Sequence, residues 1–86
     1  MPYIPQYRRD ELHQGEYPQG SGELNFVITD AVVHYLANRP PSYSALNDAL
    51  GALEGAKLEL YRRMAVPYET SKMLAQGDVY PAYGAY

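Results

Sequence analysis

The sequence predicts an all-α fold, an antiparallel helical hairpin with a third helical segment after a proline kink, and three observations predict it. Segments 23–38 and 44–66 carry apolar residues at steps of three and four, the signature of a helix buried on one face. Between them Pro40 and Pro41 enforce a short connection, and a short connection sets successive helices antiparallel. Beyond them, Pro67 and Gly77 bracket a further run of helix formers.

Residues 1–22 read as an irregular arm. Prolines at 2, 5 and 18 and glycines at 15, 20 and 22 oppose a long helix. The helix formers Arg8-Arg9-Asp10-Glu11-Leu12 permit one short turn over 8–13. Residues 23–76 form the helical core. In its first helix Leu24, Val27, Ile28, Ala31 and Tyr35 line one face, broadened by Val32 and Leu36. The β-branched residues there also suit a strand, but the length of the segment and its three-four spacing decide for a helix. Ser21 is the expected N-cap, with Glu23 in the first turn. In the second helix, capped by Ser42 or Ser44, the stripe is Leu46, Leu50, Leu53, Leu60 and Met64. Ala45, Ala49, Ala52 and Ala56 run beside it with Gly51 and Gly55. Each internal glycine costs about 1 kcal/mol against alanine, so this small-residue face is expected to receive a close backbone, from the first helix or from another copy. Residues 77–86 form an extended, tyrosine-rich tail.

A single 86-residue domain buries little apolar surface, and with no cysteine it has no disulfide to reinforce it. Self-association is the remaining common device, so a homo-oligomer is expected. Seven Lys plus Arg against ten Asp plus Glu give a formal charge of −3, which argues against a duplex nucleic-acid partner. No apolar run is long enough for a bilayer, and the opening Met1-Pro2-Tyr3-Ile4-Pro5 lacks the order of a signal peptide. No membrane partner and a cytoplasmic location are expected. Ten tyrosines against one phenylalanine and no tryptophan suit half-wet interfaces or ligand grooves better than a sealed core.

Candidate chemistry is sparse. A covalent site would need Ser, Thr or Lys beside a base, and His13 and His34 lie in different segments without a partner at a motif spacing. No HExxH pattern, alternating acidic loop or Cys/His cluster is present, so no metal, cofactor or catalytic residue is expected. One constellation stands out. Lys57, Tyr61, Arg62, Arg63, Tyr68 and Lys72 gather four of the seven basic residues within one stretch. On a helix continuing through Pro67, Lys57, Tyr61, Met64, Tyr68 and Lys72 share a face, a cationic strip with planar rings suited to phosphate and base. Glu54, Glu59 and Glu69 are interspersed and can pair with these cations along the helix. Asn25 and Thr29, four apart on the first helix, are further candidate polar contacts to a ligand.

The same segments resemble an uncharacterised family of short phage-encoded and bacterial helical proteins. The resemblance rests on Met1-Pro2-Tyr3-Ile4-Pro5-Gln6 with Arg8-Arg9-Asp10, and on Gly22-Glu23-Leu24-Asn25-Phe26-Val27-Ile28-Thr29. It continues through Gly51-Ala52-Leu53-Glu54, Lys57-Leu58-Glu59-Leu60-Tyr61-Arg62-Arg63, Pro67-Tyr68-Glu69 and Gly77-Asp78-Val79-Tyr80. The family has no assigned activity; the resemblance implies a phage or mobile-element origin. This chain departs from it between Asp10 and Gly22, and in its tyrosine-rich end.

The expected function is that of a non-catalytic, oligomeric binding protein that holds a small anionic, nucleotide-type signal in the host cytoplasm and counters host defence. The alternative is a structural or assembly protein, a minor virion component whose Tyr/Pro-rich arms contact neighbouring subunits.

Overall fold

The computed structural model describes residues 3–80, all of them helix, turn or irregular, with no strand among the described residues. The all-α expectation holds. Helix α1 spans Gln6–His13, α2 Ser21–Ala37, α3 Tyr43–Leu60 and α4 Val66–Gln76, with a π-helical turn over Tyr61–Ala65 joining α3 to α4. Most of the tyrosine-rich tail, 81–86, lies outside the described residues. The chain divides into two compact units, one ending at Ala49 and the other starting at Leu50.

In the N-terminal unit, the arm expected to be irregular contains a full helix. Pro5 supplies the extended N-cap of α1, and its carbonyl accepts from the N–H groups of Arg8 and Arg9, each at 3.0 Å. Gly15 ends α1 at φ 103. Its N–H donates to the Leu12 carbonyl and that of Glu16 to the Glu11 carbonyl, both at 3.1 Å, the paired bonds of a Schellman stop. Glycine takes this left-handed conformation without a Cβ clash.

Helix α2 starts one position earlier than a Ser21 cap would place it. Gly20 is the N-cap, and no side chain caps it. The Glu23 carboxylate instead reaches back to accept the Gln19 N–H at 2.9 Å. At the far end Asn38 Nδ2 donates to the His34 carbonyl at 2.9 Å and Arg39 Nη1 to the Tyr35 carbonyl at 2.7 Å, satisfying acceptors that the helix leaves open. The Arg39 guanidinium lies 3.5 Å above the Tyr35 ring. Of the two candidate serines, Ser42 caps α3, its Oγ accepting the Ala45 N–H at 3.0 Å.

In the C-terminal unit the helix continues through Pro67, and the π turn is how it does so. Proline has no N–H, and its ring collides with the carbonyl four residues back, here that of Arg63. Widening the turn relieves that collision: the Val66 N–H donates to Tyr61, five residues back. Gly77, at φ 86, ends α4 as expected, its N–H donating to Met73 at 2.8 Å.

Among the described residues only Leu12, Ala45 and Ala49 are buried. The stripes expected to form the core are largely open: Leu24, Ile28 and Tyr35 on α2, and Leu46, Leu50, Leu60 and Met64 along the second stripe. A Cβ added at Gly51 or Gly55 would meet nothing within 4 Å, so among the described residues no neighbour makes the close approach expected there.

Replacing Pro67 tests the origin of the π turn. Pro67→Ala restores an N–H and removes the ring, and is expected to return residues 61–65 to α geometry and stabilise this helix by about 1–3 kcal/mol. Circular dichroism at 222 nm and the melting temperature should both rise. A variant no more helical and no more stable would show that the π turn has another cause.

Candidate functional site

Two groups of side chains in the N-terminal unit fasten α1 to α2. At one end Arg8 forms a fork on Glu23, with Nε to Oε2 at 3.0 Å and Nη2 to Oε1 at 2.8 Å. The same guanidinium donates to the Tyr17 carbonyl at 3.0 Å and to Glu11 at 3.3 Å, tying helix, loop and helix together. Two-point pairing of this kind fixes orientation as well as distance. The hydrogen bonds from Arg8, then the Gln19 N–H, hold the Glu23 carboxyl below the ordinary glutamate value of 4.5, and the Arg8 guanidinium is held above its own ordinary range by Glu23.

At the other end lies a cluster that the sequence reading missed. His13, in the last turn of α1, places Nδ1 2.8 Å from Oδ2 of Asp30 on α2. His34, one turn beyond Asp30, has Nδ1 2.8 Å from the Asp30 carbonyl oxygen and 3.5 Å from Oδ1. A carbonyl only accepts, so His34 donates from Nδ1–H. The two rings are 4.8 Å apart between centroids and tilted by 58°. Each of the three residues offers a ligand atom, and these atoms lie within 4.8 Å of one another. The histidines without a partner in the sequence are thus partnered through one aspartate. Asp30 and His34 at i, i+4 were a legible signal; the arrival of His13 depends on the docking of α1.

The candidates read from the sequence are exposed. Arg62 and Arg63 both bind Glu59, Arg63 through Nε at 2.7 Å, so one carboxylate serves two guanidiniums. Lys57 lies 3.8 Å from Glu54. Lys72 reaches over the Tyr68 ring, 5.7 Å from its centroid. The single face expected of Lys57, Tyr61, Met64, Tyr68 and Lys72 does not survive the π turn. One extra residue in a turn rotates everything beyond it by about 100° around the axis. Tyr68 and Lys72 therefore form a pair displaced from Lys57 and Tyr61. Asn25 and Thr29 belong to the other unit, where Thr29 Oγ1 donates to Asn25 Oδ1 at 3.4 Å.

An all-helical chain with a forked ion pair, a His/Asp/His cluster and open apolar helix faces defines a small helical module. The chain belongs to the family described as Domain of unknown function (DUF6899), which matches residues 1–79. No curated protein and no solved structure matches it. Among the described residues no helix is long and apolar enough to cross a membrane.

The fork predicts an acid-sensitive α1. Because the native pKa of Glu23 is depressed, its contribution to stability is complete above the ordinary value of 4.5 and is lost as pH falls through the lower native value. Arg8→Ala and Glu23→Gln should each speed amide exchange in α1 at neutral pH and flatten the acid limb of stability. Unchanged exchange in both variants would remove the fork as the anchor of α1.

Proposed function

We propose that this chain is a non-catalytic, self-assembling binding protein whose hydrophobic core is completed between copies. The observation that carries the reading is the balance of burial: three buried residues among those described, against open Leu24, Ile28, Val33, Leu46, Leu50, Leu58, Leu60 and Met64. Covering the open half of an aliphatic side chain of this size contributes about 1 kcal/mol, and an 86-residue chain without disulfides has few other sources of stability. A second copy is the occupant that suits these faces, because like stripes on like helices are self-complementary under two-fold symmetry. The open groove lined by Val33, Leu36 and Ala37 of α2 and by Pro40, Pro41, Ala45 and Leu46 continues the same apolar surface.

The bound species in this proposal is a small nucleotide-type anion, taken by Tyr61, Arg62 and Arg63 of the π turn with Lys57 on the turn before, Tyr68 and Lys72 being rotated out of that face. Its support is the pair of guanidiniums converging on Glu59, with the exposed Tyr61 ring in the same π turn. A phosphate would replace or join Glu59 as the partner of both arginines. The setting proposed for this binding is the cytoplasm of a phage-infected host, where uptake of a nucleotide signal would blunt defence. That setting draws on the phage resemblance alone.

Sedimentation and thermal melts over a hundredfold concentration range test the assembly. A melting temperature that climbs with concentration, together with a closed oligomeric mass, is expected. A concentration-independent monomer would overturn it, and a monomer captured by a different protein would move the apolar faces to that partner. In a nucleotide panel read by native mass spectrometry, the Arg62→Ala/Arg63→Ala double variant should keep the oligomer and lose any bound nucleotide. Equal binding by that variant would sink the assignment of the strip.

A further inference from the structure

We propose that His13, Asp30 and His34 bind a first-row divalent transition-metal ion, zinc foremost, and that the ion pins the end of α1 to α2. The chain has only two histidines, far apart in sequence, and the fold brings both onto one aspartate. Two protonated rings with centroids 4.8 Å apart would repel each other over a single carboxylate, and two neutral rings would leave the charge of that carboxylate unbalanced. A dication accepts all three groups at once.

The donor set and spacing fit such an ion. The Asp30 carboxylate lies between the two Nδ1 atoms, 2.8 Å from one and 3.5 Å from the other. Zinc bonds of about 2.0–2.1 Å set tetrahedral donors about 3.3 Å apart, so small side-chain rotations close the site. Two imidazoles and one carboxylate favour zinc and its first-row neighbours over magnesium or calcium, which prefer all-oxygen shells. For Nδ1 to ligate, each neutral imidazole moves its proton from Nδ1 to Nε2, where solvent accepts the hydrogen bond, and no net proton is released. His34 then exchanges its bond to the Asp30 carbonyl for the metal bond.

Three protein donors leave at least one position for water. With the His13 and His34 side chains 47% and 57% exposed, solvent reaches the ion directly. The Schellman stop at Gly15 holds His13 at the end of α1, and Asp30 and His34 are one turn apart on α2. A metal bridging the two helices therefore adds a second fastening at the opposite end of α1 from the Arg8 fork, and does not depend on assembly.

Titration calorimetry of tag-free protein with zinc chloride and, separately, magnesium chloride tests the site, with cobalt(II) absorption as a spectroscopic reading. Saturable one-to-one zinc binding, no comparable magnesium binding, and visible cobalt bands of a low-symmetry site are expected. His13→Gln and His34→Gln should each weaken zinc at least tenfold and erase the cobalt bands, while circular dichroism shows the helices retained. Zinc should also slow amide exchange over residues 6–13 in the unmodified chain. Absence of saturable zinc binding, equal magnesium binding, or zinc affinity unchanged in both variants would each overturn the site. Zinc bound through these residues without slower exchange in α1 would overturn the pinning.

Discussion

The ion pair between Arg8 and Glu23 is the interaction on which the N-terminal unit depends. Helix α1 is eight residues long, below the length at which a helix persists by itself in water, so its existence rests on what holds it to α2. Leu12 is its one buried residue, too little apolar surface to do this alone. The Arg8 fork adds direction to that contact. Glu23 meets two demands with one carboxylate, binding the guanidinium and accepting the Gln19 N–H beside the start of α2. Docking and helix initiation are thereby linked, and the position of His13 against Asp30 follows from both.

The C-terminal unit answers to a different constraint. Pro67 stands within a continuous helical stretch, where a proline ordinarily breaks or kinks the chain. The wider turn over Tyr61–Ala65 absorbs it by inserting a residue, at the cost of rotating α4 relative to α3. That rotation redistributes the basic and aromatic residues around the axis. It leaves Arg62 and Arg63 within the π turn, both in reach of Glu59 from the turn before.

Burial and charge thus have separate places in the chain. The apolar stripes of α2 and α3 are open, whereas the polar groups that bridge α1 and α2 are well satisfied, with no buried side-chain donor or acceptor lacking a partner among the described residues. In the proposed assembly these open stripes are the surfaces that a second copy would cover. The half-buried Arg8 fork fixes geometry as well as adding free energy, whereas the exposed pairs of Glu54 with Lys57 and of Glu59 with Arg62 and Arg63 contribute little once screened by water.

Local signals were legible wherever a residue acts on its own backbone. The three-four spacing of α2 and α3, a serine cap at Ser42 or Ser44, the stop at Pro40 and the closing Gly77 all act within a few residues, and the sequence determined them; the structure chose Ser42. It determined the intrahelical pairing of Glu59 with Arg62 and Arg63 for the same reason. The full extent of α1 was not legible, because a short helix is stabilised by contacts from residues far along the chain. The Gly15 stop was a signal passed over. The shared face of Lys57, Tyr61, Tyr68 and Lys72 failed because a proline inside a helix can be met by a break, a kink or a wider turn, and periodicity alone does not choose. The His/Asp/His cluster was decided by tertiary structure: Asp30 and His34 share a helix face by spacing, but His13 joins them only once Arg8 has set α1 against α2.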